Sequence, residues 1–382
     1  MTNLPFGRPL IGDAEKDAVL EVLNDPILAH GPRGKAFENE FVKFMGGGKA
    51  CTVSSCMAAL HLASIHFEFG PGDEVIVPAQ THVATVHAVE LTGATPVFVD
   101  CEPDTGNIDT SKIEQLITKK TKAISLVHFV GIPADMPKIM EIAQRHSLKV
   151  IEDCALAVGT RIGSQHVGLF GDAGCFSFYP VKHFTTGEGG MFASQSTDTV
   201  DEVANFRAFS VDRTHSERKV PGVYDVTGVG MNYRMSEITA ALGRVQLSRV
   251  GEFLEIRRGN FETLKQILLQ NSQVRVLDNR LPDGQNSHYC LVVVLDQPLS
   301  EKRPELIANL NQAGIGTSIY YPQPVPRMRY YREKFGYDKA LYPNAEAISD
   351  QSIALPVGPH LDRKDMERIG TTFTTLVKEY LA

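Results

Sequence analysis

Seven short apolar or β-branched runs alternate with helical patterns along the first half of this chain. The runs lie at 50–53, 74–77, 96–99, 123–127, 149–152, 174–178 and 190–194. The helical patterns lie at 12–24, 33–45, 56–68, 81–92, 110–118 and 135–146. Strands that are connected through helices form a mostly parallel sheet with helices on both faces. The sequence therefore predicts a large α/β domain with a seven-stranded, mostly parallel sheet.

The remainder of the chain predicts a second, smaller α/β unit. Its elements are helices at 235–249, 252–270 and 301–313 and strands at 288–296 and 316–321. A length of 382 residues is sufficient for one large and one small domain. We place the large domain at 12–250 and the small C-terminal domain at 251–382, with the N-terminal segment 1–11 packed near the small domain.

Charge and apolar content limit the classes of function. The net charge of −7 argues against nonspecific binding to nucleic acid or to an anionic membrane. No apolar run approaches the ~20 residues that a membrane-spanning helix needs, and the first residues lack the pattern of a secretion signal. The six cysteines contain no Cys-x-x-Cys pair. We therefore expect a cytoplasmic protein with reduced thiols and without a metal site.

Two polar residues follow predicted strands. Asp153 lies in VIEDCALAVGT (150–160), and Lys182 lies in FSFYPVKHFTTGEGG (176–190). Functional residues of parallel sheets collect at the carboxyl ends of strands, so we expect these two side chains to lie close together. A lysine amine can form a Schiff base with pyridoxal phosphate (PLP), and a buried carboxylate can keep its pyridine nitrogen protonated. The alternative for Lys182 taken alone is an ordinary surface charge, and the alternative for Asp153 taken alone is a helix cap.

A series of motifs runs along nearly the whole chain. The segments are GPRGKAFENEF (31–41), GDEVIVPAQTHVATVHAVELTGATPVFVD (72–100), IEDCALAVG (151–159), GDAGCFSFYPVKHFTTGEGGMF (171–192), GVGMNYRMSEITAALGRVQL (228–247), GIGTSIYYP (314–322) and ALPVGPHLD (354–362). In this order they resemble the DegT/DnrJ/EryC1/StrS family of PLP-dependent sugar aminotransferases. The resemblance implies the fold-type I architecture of PLP enzymes, PLP as the cofactor, and Lys182 and Asp153 as the catalytic residues.

The resemblance also implies contacts with the phosphate of PLP. Backbone amides of Met57 and Ala58 would bind it at the start of a helix, with the hydroxyl of Ser177 nearby. Asn232 would reach the cofactor of the neighbouring subunit in a homodimer with shared active sites; a turn residue is the alternative. The family pattern Ser-Gly-Thr-Ala-Ala-Leu is here Ser-Cys-Met-Ala-Ala-Leu (55–60), so the threonine hydroxyl is absent.

Two further departures from the family concern the pyridine ring. His82 in THVAT (81–85) stands where the family has an aromatic residue that stacks on the ring. An imidazole can stack, and a partly buried histidine without a catalytic duty is the alternative. Leu156 stands where the family has a glutamine that approaches the phenolic oxygen, and leucine cannot donate that hydrogen bond.

The resemblance implies the transfer of an amino group from L-glutamate to a keto-sugar, which gives an amino sugar for cell-surface polysaccharide or lipopolysaccharide. The substrate would be a nucleotide-linked keto-hexose or an 8-keto-3-deoxyoctulosonate. A noncatalytic PLP-binding regulator and a PLP-dependent sugar dehydratase are the alternatives. In the dehydratase branch a histidine replaces the lysine, whereas this chain retains Lys182.

Substrate contacts are expected from three residues. Tyr320 occupies a position where many relatives have histidine, and His183 follows Lys182 directly. Arg213 lies in a polar segment and could contact an anionic substrate. The same segment also carries His215, Arg218 and Lys219. A solvated charged loop is the alternative for this segment.

Overall fold

The computed structural model describes residues 3–213, 219–220 and 222–381. The strands are β1 (Lys49–Val53), β2 (Glu74–Pro78), β3 (Thr95–Val99), β4 (Thr121–Val127), β5 (Lys149–Asp153), β6 (Arg161–Ile162), β7 (Gln165–His166), β8 (Ala173–Ser177), β9 (Gly190–Ser194), β10 (Val274–Val276), β11 (Gly284–Gln285), β12 (Leu291–Leu295) and β13 (Ser352–Leu355). Seven of them form one sheet in the order β1-β9-β8-β5-β4-β2-β3. The pairs between β3 and β8 are parallel, whereas β9 is antiparallel to both neighbours. The predicted α/β class and the seven-stranded sheet are confirmed.

Helices cover this sheet and continue into the C-terminal part. They are α1 (Asp13–Leu23), α2 (Pro32–Met45), α3 (Cys56–His66), α4 (Val83–Glu90), α5 (Met136–His146), α6 (Thr197–Phe206), α7 (Glu237–Ser248), α8 (Val250–Leu268), α9 (Arg303–Gln312), α10 (Arg329–Phe335), α11 (Pro343–Gln351) and α12 (Arg363–Leu381). Side-chain caps begin several of them, because Ser55, Asp135, Ser196 and Ser236 each accept a hydrogen bond from a backbone amide of the first turn.

Two predicted elements are wrong. The helix predicted at 110–118 is a pair of single 3-10 turns, at Thr110–Lys112 and Glu114–Leu116. The β-branched residue Ile117 is already extended there, and the chain then leads directly into β4. The strand predicted at 316–321 is a single bridge between Ser318 and Ala354. Beyond it the carbonyl of Tyr320 accepts a hydrogen bond from the Gln80 side chain, 2.9 Å away, instead of pairing with a strand.

The C-terminal part has its own sheet and apolar core. Strands β10, β12 and β13 form an antiparallel sheet, and α8, α9 and α12 contribute buried side chains to the core around it. The N-terminal segment joins this core: Leu4 is buried, and its amide donates to the carbonyl of Gly314 at 2.8 Å. Arg249 lies between α7 and α8, next to the domain boundary that we predict after residue 250.

None of the helices in the described part of the chain is long and apolar enough to span a bilayer. All six cysteines are free thiols, and all six are buried.

Candidate active site

A cavity of about 450 Å³ lies at the carboxyl ends of the central strands β4, β5 and β8. Six of the residues predicted for the site contribute to its wall: Met57, His82, Asp153, Ser177, Lys182 and Tyr320. These residues come from separate loops that are far apart in sequence. They meet because parallel strands place their carboxyl ends at the same edge of the sheet.

Lys182 lies in the loop that follows β8. Its amide donates to the carbonyl of Tyr179 at 2.9 Å, which holds the loop in a tight turn. Its ammonium nitrogen Nζ lies 5.4 Å from the centre of the Tyr289 ring. Burial lowers the pKa of the Lys182 amine, against the opposing effects of Cys56 and Asp153. A lower pKa increases the neutral fraction of the amine, which is the form that attacks a carbonyl.

Asp153 is the last residue of β5 and is 2% exposed. Its Oδ2 accepts a hydrogen bond from the Thr85 hydroxyl at 2.7 Å, and its Oδ1 accepts one from the Ala155 amide at 2.9 Å. The thiol of Cys56 lies 3.7 Å from Oδ1. A buried carboxylate needs such polar partners, and they fix its orientation toward the cavity wall.

The start of α3 supplies a site for an anion. The Ala58 amide donates to the Ser55 hydroxyl oxygen, which caps the helix, at 3.1 Å. Of the two amides that we predict as phosphate donors, this one therefore already has a partner. The Met57 amide makes no hydrogen bond within the described part of the chain. A free amide in the first turn of a helix favours bound negative charge. The backbone of β9 approaches the start of α3 closely at Gly190, where a Cβ would lie only 2.7 Å from the Cys56 nitrogen.

Ser177 and His82 complete this side of the wall. The hydroxyl of Ser177, at the end of β8, accepts a long hydrogen bond of 3.4 Å from the Tyr179 amide. His82 caps α4, with Nδ1 accepting from the Ala84 amide at 3.2 Å. Partial burial lowers the pKa of His82, so its ring is neutral near pH 7 and carries its proton on Nε2. The apolar side chain of Leu156 lies in the same wall.

Three tyrosines form the opposite wall, and two of them, Tyr289 and Tyr321, were not predicted from the sequence. The hydroxyls of Tyr289 and Tyr320 lie 2.7 Å apart, and the Tyr321 ring is 5.6 Å from that of His82. Burial raises the pKa of all three phenols well above their ordinary value, so they remain neutral hydrogen-bonding groups. Tyr321 directly follows the predicted residue Tyr320 in sequence, and this position could have identified it. Tyr289 has no such sequence feature and reaches the cavity only through tertiary packing.

The other predicted residues lie outside this cavity. His183 is 2% exposed, and its Nε2 lies 3.1 Å from the Ser287 carbonyl, so its placement argues against the predicted contact with substrate. The side chain of Lys182 lines the cavity, whereas the ring of His183 lies against residue 287. Arg213 is on the surface and pairs with Asp212. Asn232 is exposed and bridges to Ala208.

Two further candidates for substrate contact, His215 and Arg218, lie outside the described residues. Lys219 is described and is exposed. The structure therefore leaves the role of this polar segment as a prediction.

One buried group of potential metal ligands occurs in the described residues: His128, Glu152 and Cys154. Glu152 accepts hydrogen bonds from the amides of Gly168, Phe170 and Gly171 and lies 3.0 Å from the Nε2 of His128. The Nδ1 of His128 accepts from the Ala134 amide at 3.1 Å. Since the ligand atoms of His128 and Glu152 already have protein partners, these two residues form a hydrogen-bond network that connects the loops around β5.

The residues around the large cavity fit PLP. Lys182 offers an amine of lowered pKa for an aldehyde, and Asp153 offers a buried carboxylate for a protonated ring nitrogen. The free Met57 amide and the Ser177 hydroxyl offer donors for a phosphate. A cavity of about 450 Å³ has the usual size for a site that holds a small ligand.

Comparison with known proteins agrees with this chemistry. Residues 9–374 match the sequence model of the DegT/DnrJ/EryC1/StrS aminotransferase family. The chain is 35% identical over 380 residues to the spore coat polysaccharide biosynthesis protein SpsC of Bacillus subtilis, covering 98% of this chain and 97% of SpsC.

Solved structures give the same result. Spr1654 of Streptococcus pneumoniae in its PLP form superimposes with a TM-score of 0.92 and 29% identity, covering 100% of both chains. PseC of Helicobacter pylori, an aminotransferase involved in pseudoaminic acid biosynthesis, superimposes with a TM-score of 0.91 and 26% identity, covering 99% of this chain and 100% of PseC.

Proposed function

Because the chain belongs to the DegT/DnrJ/EryC1/StrS aminotransferase family, we propose that it transfers an amino group from L-glutamate to the carbonyl carbon of a keto-sugar. The chain is a PLP-dependent aminotransferase. The observation that carries the proposal is the convergence of Lys182 and Asp153 on one cavity that also contains the free Met57 amide. These three groups match the aldehyde, the ring nitrogen and the phosphate of PLP.

Lys182 carries the chemical step in this proposal. When bound, PLP supplies an aldehyde that condenses with amines and a ring that withdraws electrons. Lys182 Nζ would hold the cofactor between turnovers and would take the proton from the Cα of L-glutamate in the first half of the reaction. In the second half of the reaction the same nitrogen returns a proton to the sugar carbon that receives the amine. Its lowered pKa suits an amine that must both accept and donate protons near neutral pH.

The remaining wall residues orient the cofactor. The carboxylate of Asp153 would hold a proton on the pyridine nitrogen, with its two oxygens fixed by Thr85 and Ala155. The Met57 amide and the Ser177 hydroxyl bind the phosphate. The neutral ring of His82, which lies in the cavity wall, would stack on the pyridine. The side chain of Leu156 lies in the cavity wall and would offer no hydrogen-bond donor to the phenolic oxygen of PLP.

The tyrosine wall supports a carbohydrate as the amino acceptor. Tyr289, Tyr320 and Tyr321 combine apolar ring faces with neutral hydroxyls, a combination that suits the C–H faces and hydroxyls of a sugar. We propose a nucleotide-linked keto-hexose as the first substrate to test and an 8-keto-3-deoxyoctulosonate as the second. The amino sugar would enter cell-surface polysaccharide or lipopolysaccharide. SpsC, named for spore coat polysaccharide biosynthesis, supports a product of this class.

The distribution of charge supports a homodimer with shared sites. Within the described wall of the cavity, Lys182 is the one side chain with a full positive charge. A second cation is therefore needed for the carboxylates of L-glutamate or for an anionic sugar. We propose that a second copy provides it from the segment with Arg213, together with Asn232 for the phosphate. Exposed apolar side chains accompany these residues, including Val226 and Val229, the latter 84% exposed.

A spectroscopic assay tests the function. The purified chain is loaded with PLP, and its visible absorption is followed as L-glutamate is added. We expect the band of the PLP form to bleach, 2-oxoglutarate to form in equal amount, and the band to return with the correct keto-sugar. A band that persists in glutamate, with no product from any keto-sugar, would instead support the noncatalytic regulator. Release of ammonia without amino sugar would support the dehydratase.

A further inference from the structure

Arg257 on α8 is a buried guanidinium without a carboxylate partner. Its side chain is 5% exposed, and it takes part in none of the ion pairs among the described residues. Its acceptors are backbone carbonyls instead. Nη1 donates to Tyr289 at 2.8 Å and to His288 at 3.4 Å, and Nη2 donates to Lys182 at 3.5 Å.

A buried cation of this kind is costly, since desolvation is not offset by an opposite charge. Burial lowers the pKa of Arg257 to about 10, so the guanidinium is still charged near pH 7. The ring of Tyr289, centred 6.0 Å from the guanidinium carbon, stabilises it in part. An apolar side chain would fill the same space at a lower cost, so packing alone does not account for this arginine.

His183 joins the same two segments of the chain. Its ring is buried, and burial lowers its pKa well below the ordinary value, so the ring is neutral. Its Nε2 donates to the Ser287 carbonyl at 3.1 Å. Arg257 and His183 thus connect the Lys182 loop to residues 287–289, and neither of their side chains lines the cavity. On the cavity side of the same connection, Lys182 Nζ lies beside the Tyr289 ring.

We propose that Arg257 is a positioning residue which, together with His183, holds Lys182 in register with the wall that contains Tyr289. The proposal rests on the function proposed above for Lys182. The planar fork of arginine can donate to the carbonyls of both segments at once, whereas the single ammonium of lysine cannot span them in the same geometry. Displacement of a reacting group by ~1 Å can reduce rates by on the order of 100-fold, so this connection matters for the Lys182 amine.

The chain offers a matched control at the next position of α8. Arg258 is 64% exposed and pairs with Glu255 on the surface at 2.6 Å. Arg258→Gln removes the same charge from the same helix without touching the Lys182 loop. Arg257→Gln and Arg257→Lys are the test variants, and the unmodified chain is the reference.

The experiment measures attachment of PLP to Lys182 separately from turnover. Each protein is incubated with subsaturating PLP and reduced with borohydride, and the modified fraction of the Lys182 peptide is determined by mass spectrometry. We expect Arg257→Gln to lower this fraction and to lower kcat by on the order of 10- to 100-fold with a smaller change in KM. Arg257→Lys should recover part of both losses. Arg258→Gln should behave as the unmodified chain does.

Several results would overturn the proposal. One is a folded Arg257→Gln variant that attaches PLP to Lys182 to the same extent as the unmodified chain. Another is a reduced attachment that returns to the level of the unmodified chain when the variant is cooled far below its melting temperature. If Arg257→Gln does not fold, Arg257→Lys decides: reduced attachment supports the proposal, and unchanged attachment overturns it. If PLP does not attach to Lys182 in the unmodified chain, the proposed function itself fails, and the inference fails with it.

Discussion

At the scale of single residues, desolvation determines the chemistry of Lys182. Its amine lies against the Tyr289 ring, where burial favours the neutral form and Asp153 only partly opposes it. Neutral lysine is a nucleophile, whereas a guanidinium at this position would stay protonated. The environment of the cavity therefore requires an amine at this position rather than any cation.

We predict that Lys182→Ala and Lys182→Arg both abolish turnover, with residual rates lower by at least about 10³-fold. Alanine removes the nucleophile, and arginine keeps the charge without a neutral form at accessible pH. Steady-state amination with L-glutamate measures the effect, and circular dichroism checks that the fold is intact. Normal turnover in either variant would show that another amine carries the reaction.

The pH dependence of Lys182 follows from the same cause. Because its pKa lies below the ordinary lysine value, the neutral amine is present at a lower pH than for a surface lysine. In the PLP-free protein we expect reductive methylation of Lys182 to reach half its maximal rate below the pH at which a lysine in an unstructured reference peptide does. Mass spectrometry across a pH series measures Lys182 and the added reference peptide in one sample. Equal midpoints would argue against desolvation of this amine.

Asp153→Asn tests the proposed partner of the ring nitrogen. The amide has nearly the same shape but cannot hold a proton on the pyridine as an ionised carboxylate does. We expect the variant to retain PLP and to lose most of its kcat, on the order of 10²-fold or more. Thr85→Val is the companion variant, because it removes only the hydroxyl that donates to Oδ2 and should cause a smaller loss. Wild-type rates for Asp153→Asn at saturating substrate would exclude this role.

At the scale of elements, the sequence predicts best the strands of the large sheet and the helices between them. The strands of the large sheet and their connecting helices carry clear apolar patterns, and so their positions are predicted to within two residues. The segments 110–118 and 316–321 are also apolar enough to suggest elements. Their conformation is instead set by neighbours, including the Gln80 side chain that binds the Tyr320 carbonyl.

The residues of the site also fall into two groups: those that a motif identifies and those that only distant contacts bring to the cavity. Asp153 ends β5 and Lys182 lies in the loop after β8, both within recognisable motifs, which is why the sequence identifies both. Tyr289 has no motif of its own: its amide is bound to the Val130 carbonyl, and this contact between distant segments brings the ring to the cavity. The direction of the His183 side chain depends on its contact with the Ser287 carbonyl, which is 104 residues away in sequence.

We predict that the Glu152 network stabilises the loops around β5. Both carboxylate oxygens are buried and accept backbone amides, so Glu152→Gln places an NH₂ group against at least one N–H donor. An unsatisfied buried group of this kind costs about 1–3 kcal/mol. Urea unfolding should show a lower free energy of unfolding. Glu141→Gln, at an exposed position on α5, is the control and should change it little.

At the scale of the whole molecule, two of the predicted site residues lie apart from the cavity. Its cavity combines Lys182, Asp153 and a tyrosine wall, yet Asn232 and Arg213 lie outside it on the surface. Phe209 and Val229, each within four residues in sequence of one of these two, are exposed apolar side chains. An isologous dimer would bury such a patch and bring each copy's surface residues to the other copy's cavity.

Complementation between two inactive variants tests this arrangement. Lys182→Ala lacks the amine, and Asn232→Ala should bind PLP weakly through loss of a phosphate contact supplied to the other copy. In a mixed dimer one of the two sites keeps both residues, because Lys182 and Asn232 of that site come from different chains. We therefore expect mixing to restore up to about a quarter of wild-type activity when exchange is random, since half of the dimers are mixed and each has one intact site. Differently tagged chains confirm exchange; exchange without recovery, or full activity in a monomer, would rule out the shared site.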